Sequence, residues 1–569
     1  MSDTSLPRVL LLAHCGYTTT TALLFDVVDG AHRFVGQGNS YTTLDNLKTG
    51  VQLAIDQLGE NVRRVLLDEQ GELITPATAD EQGVDYFGLT LSAAGTLNAI
   101  VVGLLDEVSL SSAQRVLHST YTAPREQFSL ADQRTPQVRI DAIRYHRPDV
   151  ILVTGGTDGG DSHHVLRLID EVSIGAMQLP IQERPQVIYA GNSFLREAVK
   201  ERLANSLNVH MAENVRPQID TEQVEDVQRV LHDLYVATKI RPLRGLENWG
   251  KHIPQPAVQM QAFMGQYLAS LIKGRVFMVD VGSDTVSLML ADEAQAQPAV
   301  YSELGVGRGM DNLLRRSSIA QIQRWLVEES SPEELAEYIH NQALYPRLIP
   351  STHRELAISQ AVIRELLRYA VVKTSSAWQW PENRPPRFQL LVVGGQPLTR
   401  QPNPAQAVLM VLDAVQPTGV FAVAADMQPV LPALGYMARH YPTAAVQILE
   451  QGPLTDWGWV VVVTGQGALA QPALRLTLES ERLGKYEVEV LWGALEVIPL
   501  PYGEEVTLTL RPEKRFDAGF GRGKKQTLTI HGGEVGLVID ARGRPLPMNP
   551  NDLESQRLQM RQWLWDAGG

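Results

Sequence analysis

Cysteine is almost missing from this sequence: Cys15 is the single one among 569 residues. That excludes an internal disulfide framework and any cysteine-rich zinc or iron–sulfur centre. The 13 histidines form no HExxH pattern and no compact His/Cys cluster, so no structural metal is expected. A divalent ion carried in by a nucleotide stays open. Long hydrophobic runs are missing too. No stretch approaches the ~18 apolar residues that read as a membrane-spanning helix, and the early apolar run Val9–Ala13 is too brief for a secretory leader. Nor is there an excess of positive charge: 50 Lys and Arg stand against 64 Asp and Glu, a formal charge of −14. This balance argues against a general nucleic-acid or anionic-membrane binder. A reduced, cytoplasmic protein is the simplest expectation.

What is present is a globular composition, 44% hydrophobic and 20% charged, with chain enough for about two to four domains. Residues 8–28 read as strand, polar turn, strand, with the turn at His14-Cys15-Gly16-Tyr17-Thr18-Thr19-Thr20. Leu44, Leu47, Val51, Ile55 and Leu58 recur at helical spacing and predict a helix over 44–59. Val65–Leu67 is expected as a short strand, Ser92–Thr96 as a turn, and Leu97–Leu105 as an apolar helix. Ile151–Thr154 predicts a strand ending in Gly155-Gly156-Thr157-Asp158-Gly159-Gly160-Asp161. VIYAG at 187–191 predicts another, followed by an amphipathic run to Leu207. Strands alternating with helices argue for an α/β class with largely parallel sheets.

The second half repeats the first. Val276–Asp280 leads through Val281-Gly282-Ser283-Asp284-Thr285 into Ser287–Leu290, and LLLAHCGYTTTTALLFD matches FMVDVGSDTVSLMLAD in plan, with His14 standing where Asp280 stands. LLVVGGQPLTR, ending at Arg400, echoes ILVTGGTDGG, ending at Gly160. Two similar ordered pairs predict a duplicated fold. The tail changes character. From Lys485 to Ile539 alternating segments are punctuated by Gly and Pro, which reads as a small β domain over 479–550, with a terminal helix or tail over 551–569.

Asp280-Val281-Gly282-Ser283-Asp284-Thr285 is the strongest chemical signal. An Asp leaving a buried strand just before a Gly/Ser/Thr turn suits a hydrated Mg²⁺, while the following amides and hydroxyls suit phosphate oxygens; a ligand-free polar turn is the plainer alternative. Gly155-Gly156 and Gly394-Gly395 each follow an apolar strand, where the missing Cβ admits a flat ligand such as an adenosine or simply a tight turn. Cys15 reads as a buried structural thiol. Between Arg511 and Lys525 six basic residues (511, 514, 515, 522, 524, 525) face only Glu513 and Asp517, with Phe516 and Phe520 and three glycines interleaved. Such a loop is either a solvated hairpin or a contact for an acidic protein surface.

In order, Ser92-Ala93-Ala94-Gly95, TGGTDGG at 154–160, YAGN at 189–192, DVGSDT at 280–285 and VVGG at 392–395 resemble the glutamate mutase L family over nearly the whole chain. That family is similar to the actin, sugar-kinase and Hsp70 ATPases, which carry two phosphate hairpins facing each other across a cleft. The resemblance implies two related actin-like (ribonuclease H-like) α/β lobes, 1–270 and 271–478, before the β domain. It implies an ATP site with Asp280, Gly282, Ser283, Asp284 and Thr285 as the second phosphate loop, Mg²⁺ on Asp280, and Gly394 and Gly395 near the adenosine. Gly16, Tyr17, Thr18 and Thr19 match the first loop, and Gly155 and Gly156 complete the expected nucleotide contacts.

The first loop departs from the family pattern. His14 replaces the metal-side Asp, Tyr17 replaces a small hydroxyl residue, and in the second loop Asp284 brings an unexpected negative charge. A neutral imidazole supplies neither that charge nor a hard oxygen, and phosphoryl transfer rests on positioned cations and donors. His14 reads as a satisfied strand-end histidine, a phosphate contact or a base. The expectation is a nucleotide-responsive accessory or reactivation-type protein for a cobalamin-dependent mutase-like enzyme, with Asp280 as the one candidate catalytic group and slow or absent hydrolysis. The alternative is a non-catalytic scaffold with a vestigial cleft. A protein partner is expected, with loop 511–525 as a contact.

Overall fold

The computed structural model describes residues 6–203, 206–243, 245, 249, 252–482, 484–548 and 552–568. The first two apolar runs form an antiparallel pair, β1 (Leu10–Cys15) and β2 (Thr19–Val28), and β3 (Ala31–Tyr41) continues the meander beyond β2. β4 (Tyr86–Leu91) lies parallel to β1 on its other side. β1 is thus central, which is why Leu10, Leu11, Leu12 and Cys15 are all fully buried and why its sequence is a continuous apolar run. The expected first helix runs Leu47–Val62 rather than 44–59 and buries Leu47, Val51, Ile55 and Leu58 of the predicted stripe, while Leu44 lies before it and is exposed. Each such side chain stabilises the fold by about 1.5–3 kcal/mol.

The chain then leaves this sheet and builds another. β5 (Leu97–Val102), β6 (Thr122–Phe128), β7 (Val150–Gly155), β8 (Gln186–Gly191) and β9 (Val209–Met211) form an all-parallel sheet in the order β6-β5-β7-β8-β9. It returns at β10 (Gln255–Pro256), which pairs parallel to β4. The first lobe therefore reads β10-β4-β1-β2-β3, with an α/β unit inserted after β4. The second lobe repeats the plan with β11 (Val276–Val281), β12 (Thr285–Ala291), β13 (Ala296–Ser302), β14 (Leu390–Gly394) and β15 (Gly419–Ala425), ordered β13-β12-β11-β14-β15. In each lobe a meander is followed by two parallel strands on the far side of the first strand. This is the duplicated actin-like α/β arrangement that the resemblance implied.

The helices Ala257–Ile272 and Val430–Ala438 pack against each other, the first also against β11–β13 and the second against β1 and β4. They meet so closely at Gly435 that a Cβ there would overlap the Met260 carbonyl oxygen.

The structure corrects three expectations of the first lobe. Leu97–Leu105 is not a helix: its apolar run is β5, a strand buried between β6 and β7, where continuous apolarity is equally at home. Val65–Leu67 is not a strand, and Leu67 makes only an isolated bridge to Leu73. The counterpart of β14 and its Gly394-Gly395 turn is β4 and its Ser92–Gly95 turn, because β4 is the strand parallel to β1. Gly155-Gly156 ends β7, in the inserted sheet.

The tail is rich in β-strands, as expected, and two of its strands join the second lobe's sheet. β16 (Thr455–Val462) pairs with β15, β17 (Thr464–Gly465) follows, and β18 (Pro472–Ser480) and β19 (Gly484–Leu491) open a separate sheet. β20 (Leu495–Ile498) rejoins the lobe, β21 (Glu505–Pro512) and β23 (Gln526–His531) complete the order β19-β18-β21-β23, and β22 (Phe516–Asp517) pairs with β17. β24 (Gly536–Asp540) then lies between β16 and β20, extending the second lobe's sheet to eight strands. A boundary at 478 therefore cuts through β18 and separates strands of one sheet.

Buried charges fasten this junction. Arg542 donates to Asp413 at 2.7 Å and to both oxygens of Asp540, at 2.9 and 2.8 Å, while Arg364 donates to the other Asp413 oxygen at 2.7 Å. Arg544 adds a bond to Asp540 at 2.6 Å. These cations hold the Asp540 carboxyl well below the usual range despite its burial. A helix, Leu553–Asp566, closes the chain and buries Trp563 beside Arg542. Among the described residues, no helix is long and apolar enough to cross a membrane.

Candidate functional site

Each lobe presents the same turn. Gly16 donates its N–H to Thr19 O at 2.9 Å, and Gly282 donates to Thr285 O at 2.8 Å. The tips are therefore Tyr17-Thr18 in one lobe and Ser283-Asp284 in the other, carried on the β1–β2 and β11–β12 pairs. Both tips line a single cavity of about 690 Å³ between the lobes. Among the described residues, the N–H groups of Tyr17, Thr18, Ser283 and Asp284 have no protein acceptor, and the shielded Ser283 hydroxyl has no partner either. Unpaired amides gathered at turns create a local positive potential suited to an anion. Arg347 and Arg400 also line the cavity.

The second tip is wrapped by the glycine-rich stretch Gly305-Val306-Gly307-Arg308-Gly309, which follows β13. Leu304 N donates to Asp284 O at 3.1 Å, Val306 N to Gly282 O at 3.1 Å, and Gly307 N to Ser283 O at 2.9 Å. Arg308 then reaches the first lobe. Its guanidinium donates to the Tyr17 hydroxyl and lies 5.5 Å from the ring centroid. Burial pushes the Asp284 carboxyl up to about 6; the Arg308 charge opposes this shift and Glu303 adds to it. The charge at Asp284, unexpected from the sequence, thus has a cation beside it. Arg308 was not foreseen, although the G-x-G-x-G spacing after a strand was a visible signal.

The cavity floor holds two carboxylates. Burial raises Asp280 to about 6, with a hydrogen bond from Gln261 working against the rise. Burial raises Asp426 to about 7, and the Asp280 charge adds to it. Asp426 accepts from Val430 N at 3.0 Å and Leu431 N at 3.1 Å, so it also caps the helix Val430–Ala438. His14, opposite in the plan, has Nδ1 3.0 Å from Thr90 Oγ1 and is lowered to about 4 by burial, so it is neutral near pH 7.

Gly395 lines the cavity with φ +83°, and a Cβ there would overlap the Val281 carbonyl oxygen. Gly394 lies just beneath, where a Cβ would stand 2.7 Å from Asp280 Oδ2.

The structure thus brings Gly16, Thr18, Thr19, Asp280, Gly282, Ser283, Thr285 and Gly395 to one cavity, together with His14, Tyr17 and Asp284. It does not bring Gly155 and Gly156 there. Their loop closes on itself: Asn192 Oδ1 accepts from Gly159 N at 3.1 Å, and Asp158 accepts from Ser193 N and Asn214 Nδ2, both at 2.8 Å. Cys15 is fully buried, its thiol pushed up to about 12, which suits packing rather than reactivity.

The donor set fits a nucleotide with a hydrated divalent ion. Orphaned amides, a lone hydroxyl and arginines match phosphate oxygens, and two enclosed carboxylates match a hard cation. Among the described residues, no group of three or more His, Cys, Asp or Glu is placed to hold a metal by itself.

A family model described as MutL protein matches residues 10–452, most of the chain. This chain belongs to the MutL protein family. The match runs from β1 to the end of the second lobe's helices, so the MutL region contains both turns and the whole cavity. A curated relative, Protein MutL of Clostridium tetanomorphum, is 24% identical over 300 residues, 48% of this chain and 62% of the relative. The matched stretch therefore spans less than two thirds of that relative's length.

Among solved structures, nucleotide-free acetone carboxylase is similar at 11% identity and TM-score 0.33, over 85% of this chain and 81% of that one. Plasmodium falciparum glycerol kinase with ADP is similar at 10% and 0.30, over 77% and 91%. Component A of Acidaminococcus fermentans (R)-2-hydroxyglutaryl-CoA dehydratase is similar at 7% and 0.27, over 77% and 99%. Likeness at these levels says nothing of chemistry.

Proposed function

We propose that this MutL-family chain is a nucleotide-responsive accessory protein for a cobalamin-dependent mutase-like enzyme, binding ATP with Mg²⁺ between its lobes and hydrolysing it slowly or not at all. The observation that carries the reading is the pair of matching turns with unpaired amides lining one cavity. The amides at Tyr17, Thr18, Ser283 and Asp284 and the hydroxyls of Thr19, Ser283 and Thr285 bind phosphate oxygens, and Gly395 leaves room for the nucleoside. Asp280 and Asp426 hold the ion through water. When bound, Mg²⁺ supplies positive charge to the phosphate chain. His14, neutral and bonded to Thr90, adds no second anionic ligand on the first lobe, which is the reason for slow turnover.

Nucleotide drives a change of shape only through unequal affinity for open and closed lobes. The close packing of the two helices at Gly435 is the contact about which such a change would turn. The basic loop 511–525 is the proposed contact with the partner, and the cytoplasm is the proposed compartment.

Isothermal titration of nucleotide-stripped protein with ATP, with and without Mg²⁺, tests this reading. The expected outcome is saturable binding that strengthens with Mg²⁺ and loses that strengthening in Asp280→Asn. No heat up to about 1 mM, a standard affinity of only about −4 kcal/mol, would favour the scaffold reading. One observation speaks for that alternative: Arg308 and Tyr17 join the two turns directly.

A further inference from the structure

The contact between Tyr17 and Arg308 carries a consequence for ligand choice that rests on the nucleotide reading of the cavity. Tyr17 occupies the first tip position after the glycine in one lobe, where the other lobe has Ser283. Its side chain spans the gap between the turns and accepts a hydrogen bond from Arg308, whose stretch is pinned to the second turn through Val306 and Gly307. Tyr17 lines the cavity, while Arg308, itself exposed to solvent, lies outside the lining and holds the phenol through its hydroxyl and ring face.

The cation bonded to the first turn tip is thus already engaged by an aromatic side chain on its cavity side. A phosphoryl group reaching past the tips meets the phenol first, and it gains Arg308 only by displacing Tyr17. The exchange is chemically balanced: a neutral acceptor on a guanidinium gives way to an anionic one, which forms the stronger, charge-assisted bond.

We infer that the Tyr17–Arg308 bridge is a latch that makes the cavity discriminate between phosphate chains of different length. A nucleoside diphosphate is held by the turn amides with the latch closed. A triphosphate engages fully only when its terminal phosphoryl group takes Tyr17's place on Arg308, which opens the bridge between the lobes. Tyr17 is thus a specificity-determining residue and Arg308 the group that senses the terminal phosphate. Arg308 also has a neighbour that connects it outward. Glu303, close enough to influence its charge, is held by Arg125 of β6 through two bonds of 2.8 and 2.6 Å. Movement of Arg308 therefore acts on an ion pair with the inserted sheet.

The test is the ratio of ATP to ADP affinity, measured by titration in Mg²⁺ on the full chain and three variants. In the parent, ADP binds more tightly than ATP. In Tyr17→Ser the ATP-to-ADP ratio rises about tenfold, and in Tyr17→Phe, which keeps the ring and loses the hydrogen bond, it rises by a smaller factor. Adding Arg308→Gln to Tyr17→Ser abolishes the gain for ATP. Tyr17→Phe changes one exposed atom and guards against a folding defect in the serine variant. Saturable binding with the same ratio in the parent, Tyr17→Ser and Tyr17→Phe overturns the latch and leaves the nucleotide reading standing. Binding of neither nucleotide by parent or variants overturns both.

Discussion

At the scale of single residues, the cavity floor is where charge is held at a cost. Asp280 has an ordinary value near 3.9 in an unfolded chain and is raised to about 6 in the fold by burial. A raised carboxyl contributes its full stability below the unfolded value and loses it as pH rises through the folded one. The ligand-free protein is therefore strained by Asp280 above about pH 6, and Asp426, raised to about 7, adds to the strain. Asp280→Asn removes one of these ionisations. Its melting temperature relative to the parent is expected to rise between about pH 4 and about pH 7 and then stay level, as read by thermal scans without divalent ions. A constant offset across that range would mean that Asp280 is not the enclosed, proton-holding group described here. His14 works in the opposite sense, since its neutral form is favoured by burial and its stability is lost as pH falls from about 6.5 towards about 4.

At the scale of elements, the decisive junction is between the second lobe and the tail. The helices Pro404–Val415 and His353–Trp378 supply Asp413 and Arg364, the end of β24 supplies Asp540, and the segment just after it supplies Arg542 and Arg544. Every one of these side chains is almost completely removed from solvent. Removing one partner leaves a buried charge without compensation, which typically costs about 3–5 kcal/mol. Asp413→Ala is expected to lose stability on that scale in urea unfolding, because Arg364 and Arg542 both lose an acceptor. A loss below about 1 kcal/mol, the level of an exposed pair, would show that the tail does not depend on this network. The same junction explains why the alternating strands after 478 do not make a free-standing domain: β20 and β24 are bonded into the lobe's sheet.

At the scale of the whole molecule, the charge is unevenly spread. The chain carries −14 overall, yet Arg511, Lys514, Arg515, Arg522, Lys524 and Lys525 are all exposed and, among the described residues, none of them makes an ion pair within 4.0 Å. Asp517 holds this loop in shape by accepting from Gly519 N at 2.6 Å and Gly521 N at 2.8 Å, which presents Phe520 between the two glycines. A cationic display already shaped by these bonds keeps down the ordering cost of association. Replacing Lys514, Arg515, Lys524 and Lys525 together with serine is expected to leave the melting temperature within about 2 °C, as for surface substitutions, while weakening salt-sensitive binding to an acidic partner. Co-purification with a mutase-like enzyme at low and high salt reads the effect. Unchanged capture would remove the loop from the interface.

The two turns and their strands were legible in the sequence because each is a local event. A turn closed between Gly16 and Thr19, or between Gly282 and Thr285, is written within a few residues, and the flanking apolar runs declare central strands whatever lies beside them. The family resemblance rested on the same short stretches. The sequence alone therefore determined an α/β chain with duplicated lobes, and the turn residues that face the cavity.

Which glycine pair belongs to that cavity was decided only by the tertiary structure. A strand followed by two glycines looks the same in any parallel sheet, and nothing local says that β4 rather than β7 lies beside β1. The partner of Tyr17 was equally out of reach, since Arg308 stands 291 residues away. The burial that lifts Asp280 and Asp426, the cation that answers Asp284, and the return of β24 to the lobe all depend on long-range closure of sheets. Local periodicity carries no record of that closure.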